Sequence, residues 1–149
     1  MREVRRSALI GQPPERMFAL INDIESYPQF LPWCTSAHVQ SRTDRELIAS
    51  VGVRRGPLNS QFTTRNELTA NRHIAMRLVS GPFKTLEGDW TFTPVDVPGH
   101  SGCRVDLVLR FAFANRLAAI VFEPLFEETA ASLVDAFVAR ARALAADGH

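Results

Sequence analysis

The spacing of apolar residues in this chain changes character twice, and each change marks a different kind of element. Val4 to Ile10 is predicted as a first strand, closed by Gly11 and the pair Pro13-Pro14. Pro13 to Asn22 then predicts a short helix with Met17, Phe18, Leu20 and Ile21 inward, since proline is tolerated in a first helical turn. The segment Asp23 to Cys34 is dense in aromatics and interrupted by Pro28 and Pro32. It predicts a short helical turn and an ordered connector whose Tyr27, Phe30, Leu31 and Trp33 plug one end of a core.

From Thr35 the period is two. Strands are predicted over Thr35 to Ser41, around Leu47, Ala49, Val51 and Val53, and around Leu58, Phe62, Thr64 and Leu68. Two more follow around Ile74, Met76 and Leu78, and around Leu86, Trp90 and Phe92, with the next loop predicted over Pro94 to Gly102. Val105, Leu107, Leu109, Phe111 and Phe113 alternate against Arg104, Asp106 and Arg110 in the last strand. Short turns between neighbours predict a seven-stranded, mostly sequential antiparallel sheet.

The second change comes at Asn115. Up to Ala146 the apolar residues Leu117, Val121, Phe122, Leu125, Phe126, Ala130, Leu133, Val134, Phe137, Val138, Ala141 and Leu144 recur at three- and four-residue steps. This predicts one long amphipathic helix. No other helix of comparable length exists to cover it, so its stripe must lie on the sheet, an α+β arrangement. Pro124 either bends this helix or marks its true start.

Composition narrows the function. A chain of 149 residues is expected to form one domain, spanning 1–149, with a core that needs neither metal nor disulfide. Its net charge of +1, from 17 basic and 16 acidic residues, argues against direct DNA binding. Cys34 and Cys103 show no metal spacing, and neither do His38, His73, His100 and His149. No membrane span or signal segment is read, which predicts a soluble cytoplasmic protein.

Catalytic chemistry finds no foothold. Nucleophile-elbow, dinucleotide and P-loop patterns are absent, and Glu67, Glu87, Asp89 and Asp106 fall on the wet face beside arginines, where cross-strand ion pairs account for them. Cys34 reads as a half-buried thiol. The expectation is a protein that is not an enzyme, with no resident cofactor. What remains is the space between helix and sheet. Ser60, Thr64 and Asn66 share the inward parity of Phe62 and Leu68, and burying each without a partner costs about 1–3 kcal/mol. Either they bond to one another, to backbone or to water near strand ends, or they meet a ligand. The predicted walls are Phe30, Leu31, Trp33, Val51, Phe62, Met76, Leu86, Trp90, Phe92 and Leu109 from the sheet side and connector. Phe122, Phe126, Leu133 and Phe137 on the helix are expected to face Phe62, Trp90, Leu109 and Phe111 across the space.

Three stretches carry a resemblance: Tyr27-Pro-Gln-Phe-Leu-Pro-Trp-Cys34, Gly81-Pro-Phe-Lys-Thr-Leu-Glu-Gly-Asp-Trp-Thr-Phe92, and Phe111-Ala-Phe-Ala-Asn-Arg116 with Val134-Asp-Ala-Phe137. They resemble the coenzyme Q-binding START-domain family, which includes bacterial ribosome association toxins and is grouped with polyketide cyclase/dehydrases. The resemblance implies a helix-grip fold, a curved sheet wrapped around the C-terminal helix. It also implies an isoprenoid ligand, ubiquinone above all, carried as a chaperone supporting respiratory electron transport, with transient membrane contact for exchange. Its alternative implication is a factor that binds the large ribosomal subunit and inhibits subunit association. The charge balance does not favour this, although the residues offer local basic patches in Arg2, Arg5 and Arg6 or Arg54 and Arg55. A cyclase-like enzyme is the third.

Overall fold

The computed structural model describes residues 1–147; His149 lies outside them. Seven strands form one antiparallel sheet: β1 (Arg2–Ile10), β2 (Cys34–Arg42), β3 (Glu46–Arg55), β4 (Leu58–Thr69), β5 (His73–Ser80), β6 (Phe83–Val97) and β7 (His100–Phe113). Their spatial order is β1-β7-β6-β5-β4-β3-β2. Strands β2 to β7 thus run as a meander, and only β1 leaves sequence order to pair with β7. Helix α1 (Pro14–Asn22) and a 3₁₀ turn (Ile24–Gln29) carry the chain from the β1 edge to the β2 edge. The alternation predicted for the last strand is realised in β7, where Val105, Leu107, Leu109, Phe111 and Phe113 are all buried.

Opposite ions occupy the other face. Asp89 accepts from His73 Nε2 at 2.9 Å, Glu87 lies 3.8 Å from Arg110, and Asp106 lies 3.1 Å from Arg104. Thr63, Ser50 and Ala75 are nevertheless buried on that side, and the Thr63 hydroxyl sits 2.6 Å from that of Ser50, which in turn accepts from Gln40.

The segment Pro94 to Gly102, predicted as a loop, is the tip of the long β6–β7 hairpin, which turns at Pro98-Gly99 with Gly99 at φ +79°. Pro94 is tolerated there for a geometric reason. Phe92 points its N–H towards the β5 side, donating to the Arg72 carbonyl, and β5 pairs with β6 only as far as Thr91. Two residues on, the missing N–H of Pro94 faces a free edge.

The single helix predicted over Asn115 to Ala146 is two helices, α2 (Arg116–Ala131) and α3 (Leu133–Ala146). Asn115 caps the first, its Oδ1 accepting from the amides of Leu117 at 2.8 Å and Ala118 at 3.2 Å. Pro124 therefore does not start the helix; it sits within α2 on the exposed side. The interruption is at Ser132. Its hydroxyl donates to the Thr129 carbonyl at 2.7 Å, and the Thr129 hydroxyl donates to the Leu125 carbonyl at 2.9 Å. Side-chain hydroxyls that back-bond in this way compete with the helical ladder and break its regularity.

The two helices meet the sheet differently. Phe126 of α2 is wedged among Phe62, Phe83, Phe111 and Phe113, with ring centroids 4.7–6.1 Å away. Phe137 of α3 touches Tyr27, Phe30 and Trp90 at 5.2–5.5 Å. Truncating Phe126 removes the hub of one aromatic cluster. Phe126→Ala is expected to lower the unfolding free energy by about 3–5 kcal/mol in urea titration, whereas Leu117→Ala, on the exposed side of the same helix, should stay within about 0.5 kcal/mol of wild type.

Candidate functional site

Between α3 and the concave face lies a cavity of about 90 Å³. Strand parity supplies most of its wall. Val51 comes from β3, Phe62, Thr64 and Asn66 from β4, Ile74 and Met76 from β5, Leu86 and Trp90 from β6, and Leu109 from β7. The roof is Leu133 and Phe137, one helical turn apart on α3. Ile21 at the end of α1, Ile24 and Tyr27 of the 3₁₀ turn and Trp33 of the connector close the end.

The structure brings eleven of the eighteen expected wall residues together and places the other seven elsewhere. Leu31, Phe92 and Phe111 are packed solid, Phe92 edge-on to Phe18 and Phe111 against Phe126. Phe126 fills the space beneath α2, and Phe122 lies over Phe113. Phe30 stacks outside Phe137 beneath the Arg140 guanidinium, and Ser60 is half-buried opposite Val53 near the β3–β4 turn. The expected pairing across the space therefore holds open only under α3. Under α2 the same faces touch through Phe126.

Ile21, Ile24, Tyr27 and Ile74 were not expected in the wall. Ile74 shares the parity of Met76, a signal that was legible; Ile21 was expected inward and Tyr27 at one end of the core, and Ile24 belongs to the 3₁₀ turn, whose position no periodicity reveals. Gly88 escaped notice too. It points inward between Leu86 and Trp90, and a β-carbon there would come within 2.6 Å of Met76 Cε and 2.8 Å of Leu109 Cδ1. A glycine inside a strand with no turn to make is the sequence mark of such a close approach.

The lining is mostly apolar, its polar groups being Thr64, Asn66, the Tyr27 hydroxyl and the indole N–H groups of Trp33 and Trp90. The Thr64 hydroxyl donates to Asn66 Oδ1 at 2.9 Å, both residues being buried. This pairing leaves the Asn66 amide to donate, and the Thr64 oxygen to accept, towards the cavity. Tyr27 donates its hydroxyl to the Ile21 carbonyl. Burial, with smaller contributions from Cys34 and Asp23, pushes its phenol far above the ordinary range. It is a neutral group at any physiological pH. Among the described residues no carboxylate, imidazole, guanidinium or amine lines the space, so none of these wall residues can exchange a proton near neutrality. Among the described residues no group of three or more His, Cys, Asp or Glu side chains is placed to hold a metal. Cys34 and Cys103 are free and buried, and burial raises both thiols, Cys103 to about 11.

The sequence pattern of the polyketide cyclase/dehydrase and lipid transport family matches residues 10–138. The chain belongs to that family. Within it, similarity is strong to the ribosome association toxin RatA of Escherichia coli strain K12, 43% identical over 142 residues that cover 95% of this chain and 88% of that protein. The mitochondrial coenzyme Q-binding protein COQ10 of Drosophila melanogaster is 25% identical over 140 residues, 92% of this chain and 57% of that protein. Among solved structures, an aromatase/cyclase from Streptomyces superposes with a TM-score of 0.82 at 16% identity, over 95% of this chain and 93% of that one. A START superfamily protein from Mycobacterium smegmatis gives 0.70 at 19% identity, over 95% and 98%. These two likenesses show the fold, a curved antiparallel sheet with a C-terminal helix. The first of these neighbours is named for aromatase/cyclase chemistry; among the described residues of this chain, no acid-base group borders the cavity.

Two measurements probe the site. Asn66→Leu leaves the Thr64 hydroxyl without its acceptor and should cost about 1–3 kcal/mol, while Thr64→Val with Asn66→Leu, which removes both partners, should recover much of that loss in a denaturation cycle. The thiols should resist iodoacetamide at neutral pH and react faster as pH rises towards the raised Cys103 value, because only the thiolate attacks.

Proposed function

We propose that this protein works on the ribosome, binding the large subunit and opposing subunit association. The observation that carries the reading is the 43% identity with the ribosome association toxin RatA across 95% of the chain. Charge placement refines it. Of the arginines expected to form basic patches, Arg2 is tied to Glu123 and Glu127, Arg5 to Glu3 and Arg55 to Glu128. Arg6 and Arg54 have no carboxylate partner among the described residues. At the opposite rim of the sheet, Arg42 at the end of β2, Arg45 in the β2–β3 turn and Arg72 in the β4–β5 turn are likewise without a carboxylate partner among the described residues. The Leu68 amide, donating to the Arg45 carbonyl at 2.8 Å, holds the two turns together. Three planar guanidinium groups on one rim suit phosphate contacts.

A second reading has its own support: a hydrophobic ligand in the cavity. The apolar wall, the Thr64–Asn66 pair and the 25% identity with COQ10 favour an isoprenoid quinone, whose carbonyl would accept from the Asn66 amide. The obstacle is size. A cavity of about 90 Å³ is smaller than one that holds benzene, about 150 Å³, and pockets for larger ligands run to about 300 Å³ and beyond. A prenyl tail gains about 0.8 kcal/mol for each buried methylene, which can offset displacement of α3 about the Ser132 break. The two readings are compatible, the ligand occupying the inside and the ribosome the rim.

Titration of the protein against purified large subunits over a salt series tests the first reading. Binding should weaken as salt rises, and Arg42→Gln with Arg45→Gln and Arg72→Gln should reduce the slope of log affinity against log salt by about 3; absence of binding at low salt would remove the proposal. Organic extraction of protein purified from its own host, followed by mass spectrometry, tests the second. A stoichiometric isoprenoid quinone supports it, and an empty protein that takes up no added quinone rejects it.

A further inference from the structure

Helix α2 carries an apolar stripe that nothing covers. Leu117, Ile120 and Val121 are 75%, 70% and 50% exposed, and Pro124 continues the row one turn on. Positions i, i+3, i+4 and i+7 share one side of a helix. The opposite side, through Phe122, Phe126, Thr129 and Ala130, is the one that packs on the sheet. Leaving three large aliphatic side chains in water is unfavourable, so the stripe calls for a partner.

Charge around the stripe narrows what that partner is. From Ala114 to Phe122 there is no acidic residue, and the first turn opens with Arg116. The adjoining β5–β6 turn is held to this point by the Ala114 amide, which donates to the Pro82 carbonyl at 2.9 Å, and brings Lys84, the lone lysine of the chain, to the same rim. Arg116 and Lys84 are exposed and have no carboxylate partner among the described residues. The acids farther along α2 are already engaged: Glu123 and Glu127 with Arg2, and Glu128 with Arg55. The stripe is therefore apolar with an uncompensated positive margin.

We propose that the first half of α2 docks on an anionic lipid surface, with Leu117, Ile120 and Val121 entering the acyl boundary and Arg116 and Lys84 on the lipid phosphates. Magnitudes favour this occupant over two others. A stable dimer buries roughly 800 Å² on each partner, far more than four side chains offer. An RNA surface gains nothing from three aliphatic groups, and two cations alone give weak, salt-labile contact. A short apolar stripe with basic neighbours is the pattern of reversible binding to an anionic interface. The surface is separate from the arginine rim proposed for the ribosome and from the cavity.

Co-sedimentation of the full chain with phosphatidylcholine vesicles, with and without phosphatidylglycerol, tests the proposal. Binding is expected to the phosphatidylglycerol vesicles and to fall as salt rises. Leu117→Ser with Ile120→Ser and Val121→Ser should lower partitioning by about tenfold or more, and Arg116→Gln or Lys84→Gln by about fivefold each on the anionic vesicles alone. Leu9→Ser and Val79→Ser, exposed apolar residues off the stripe, should change nothing. The proposal is overturned by absence of binding, by equal binding to neutral vesicles, by a stripe variant that binds as wild type, or by Leu9→Ser or Val79→Ser lowering binding as much as the stripe variant does. Concentration-dependent dimerisation abolished in the stripe variant would overturn it in favour of a second copy. Loss of large-subunit binding, in place of vesicle binding, in that variant would overturn it in favour of the ribosome.

Discussion

The burial of one helical face against the concave side of the sheet is the constraint on which the rest of the molecule depends. Strands β3 to β7 point large aliphatic and aromatic side chains at that face, and only α2 and α3 are long enough to keep water from them. The cover is not uniform, because Ser132 divides it. Before the break, Phe126 reaches into a ring of four phenylalanines and the layers are in contact. After it, Phe137 is shared with Tyr27, Phe30 and Trp90, and the space between them and the floor of the sheet is not filled. A local competition for hydrogen bonds at Thr129 and Ser132 thus coincides with the boundary between packed core and cavity.

The cavity wall offers hydrogen-bonding groups and, among the described residues, no side chain that exchanges a proton near neutrality. A buried hydroxyl and a carboxamide satisfy each other, which keeps their burial affordable, and each retains one hydrogen-bonding function. Tyr27 is held neutral by burial and fixed by its bond to the Ile21 carbonyl. Gly88 sets the shape of the floor, since any side chain there would meet Met76 and Leu109.

Much of this was legible in the residues before any coordinates. Period-two alternation marked the strands from Thr35 on, apart from the tip of the β6–β7 hairpin, and parity alone put Thr64 and Asn66 on the inner face. The hidden parts were those that depend on a second layer or on local competition. The three- and four-residue steps of the apolar stripe run unbroken through Ser132, so one continuous helix was the natural expectation. Phe126 and Phe137 look equivalent in that stripe, yet one fills space and the other borders it, a difference decided by how close each half of the cover lies. Ile21, Ile24 and Tyr27 enter the wall because the 3₁₀ turn folds back over the end of the sheet. Pro94 signalled a loop, and it stands in a strand because β6 outlasts β5 there.

Inside, edge and outer helix face are separate surfaces with separate chemistry, so a ligand, a ribosomal subunit and a lipid surface need not compete for the same residues. The large ribosomal subunit is the partner proposed for the rim. Its most direct test follows light scattering as purified small and large subunits are mixed with magnesium in the presence of the protein. The account predicts that the rise in scattering is suppressed in proportion to added protein, which then co-migrates with the large subunit on a gradient. Full association of the subunits, with the protein left unbound at the top, would contradict it.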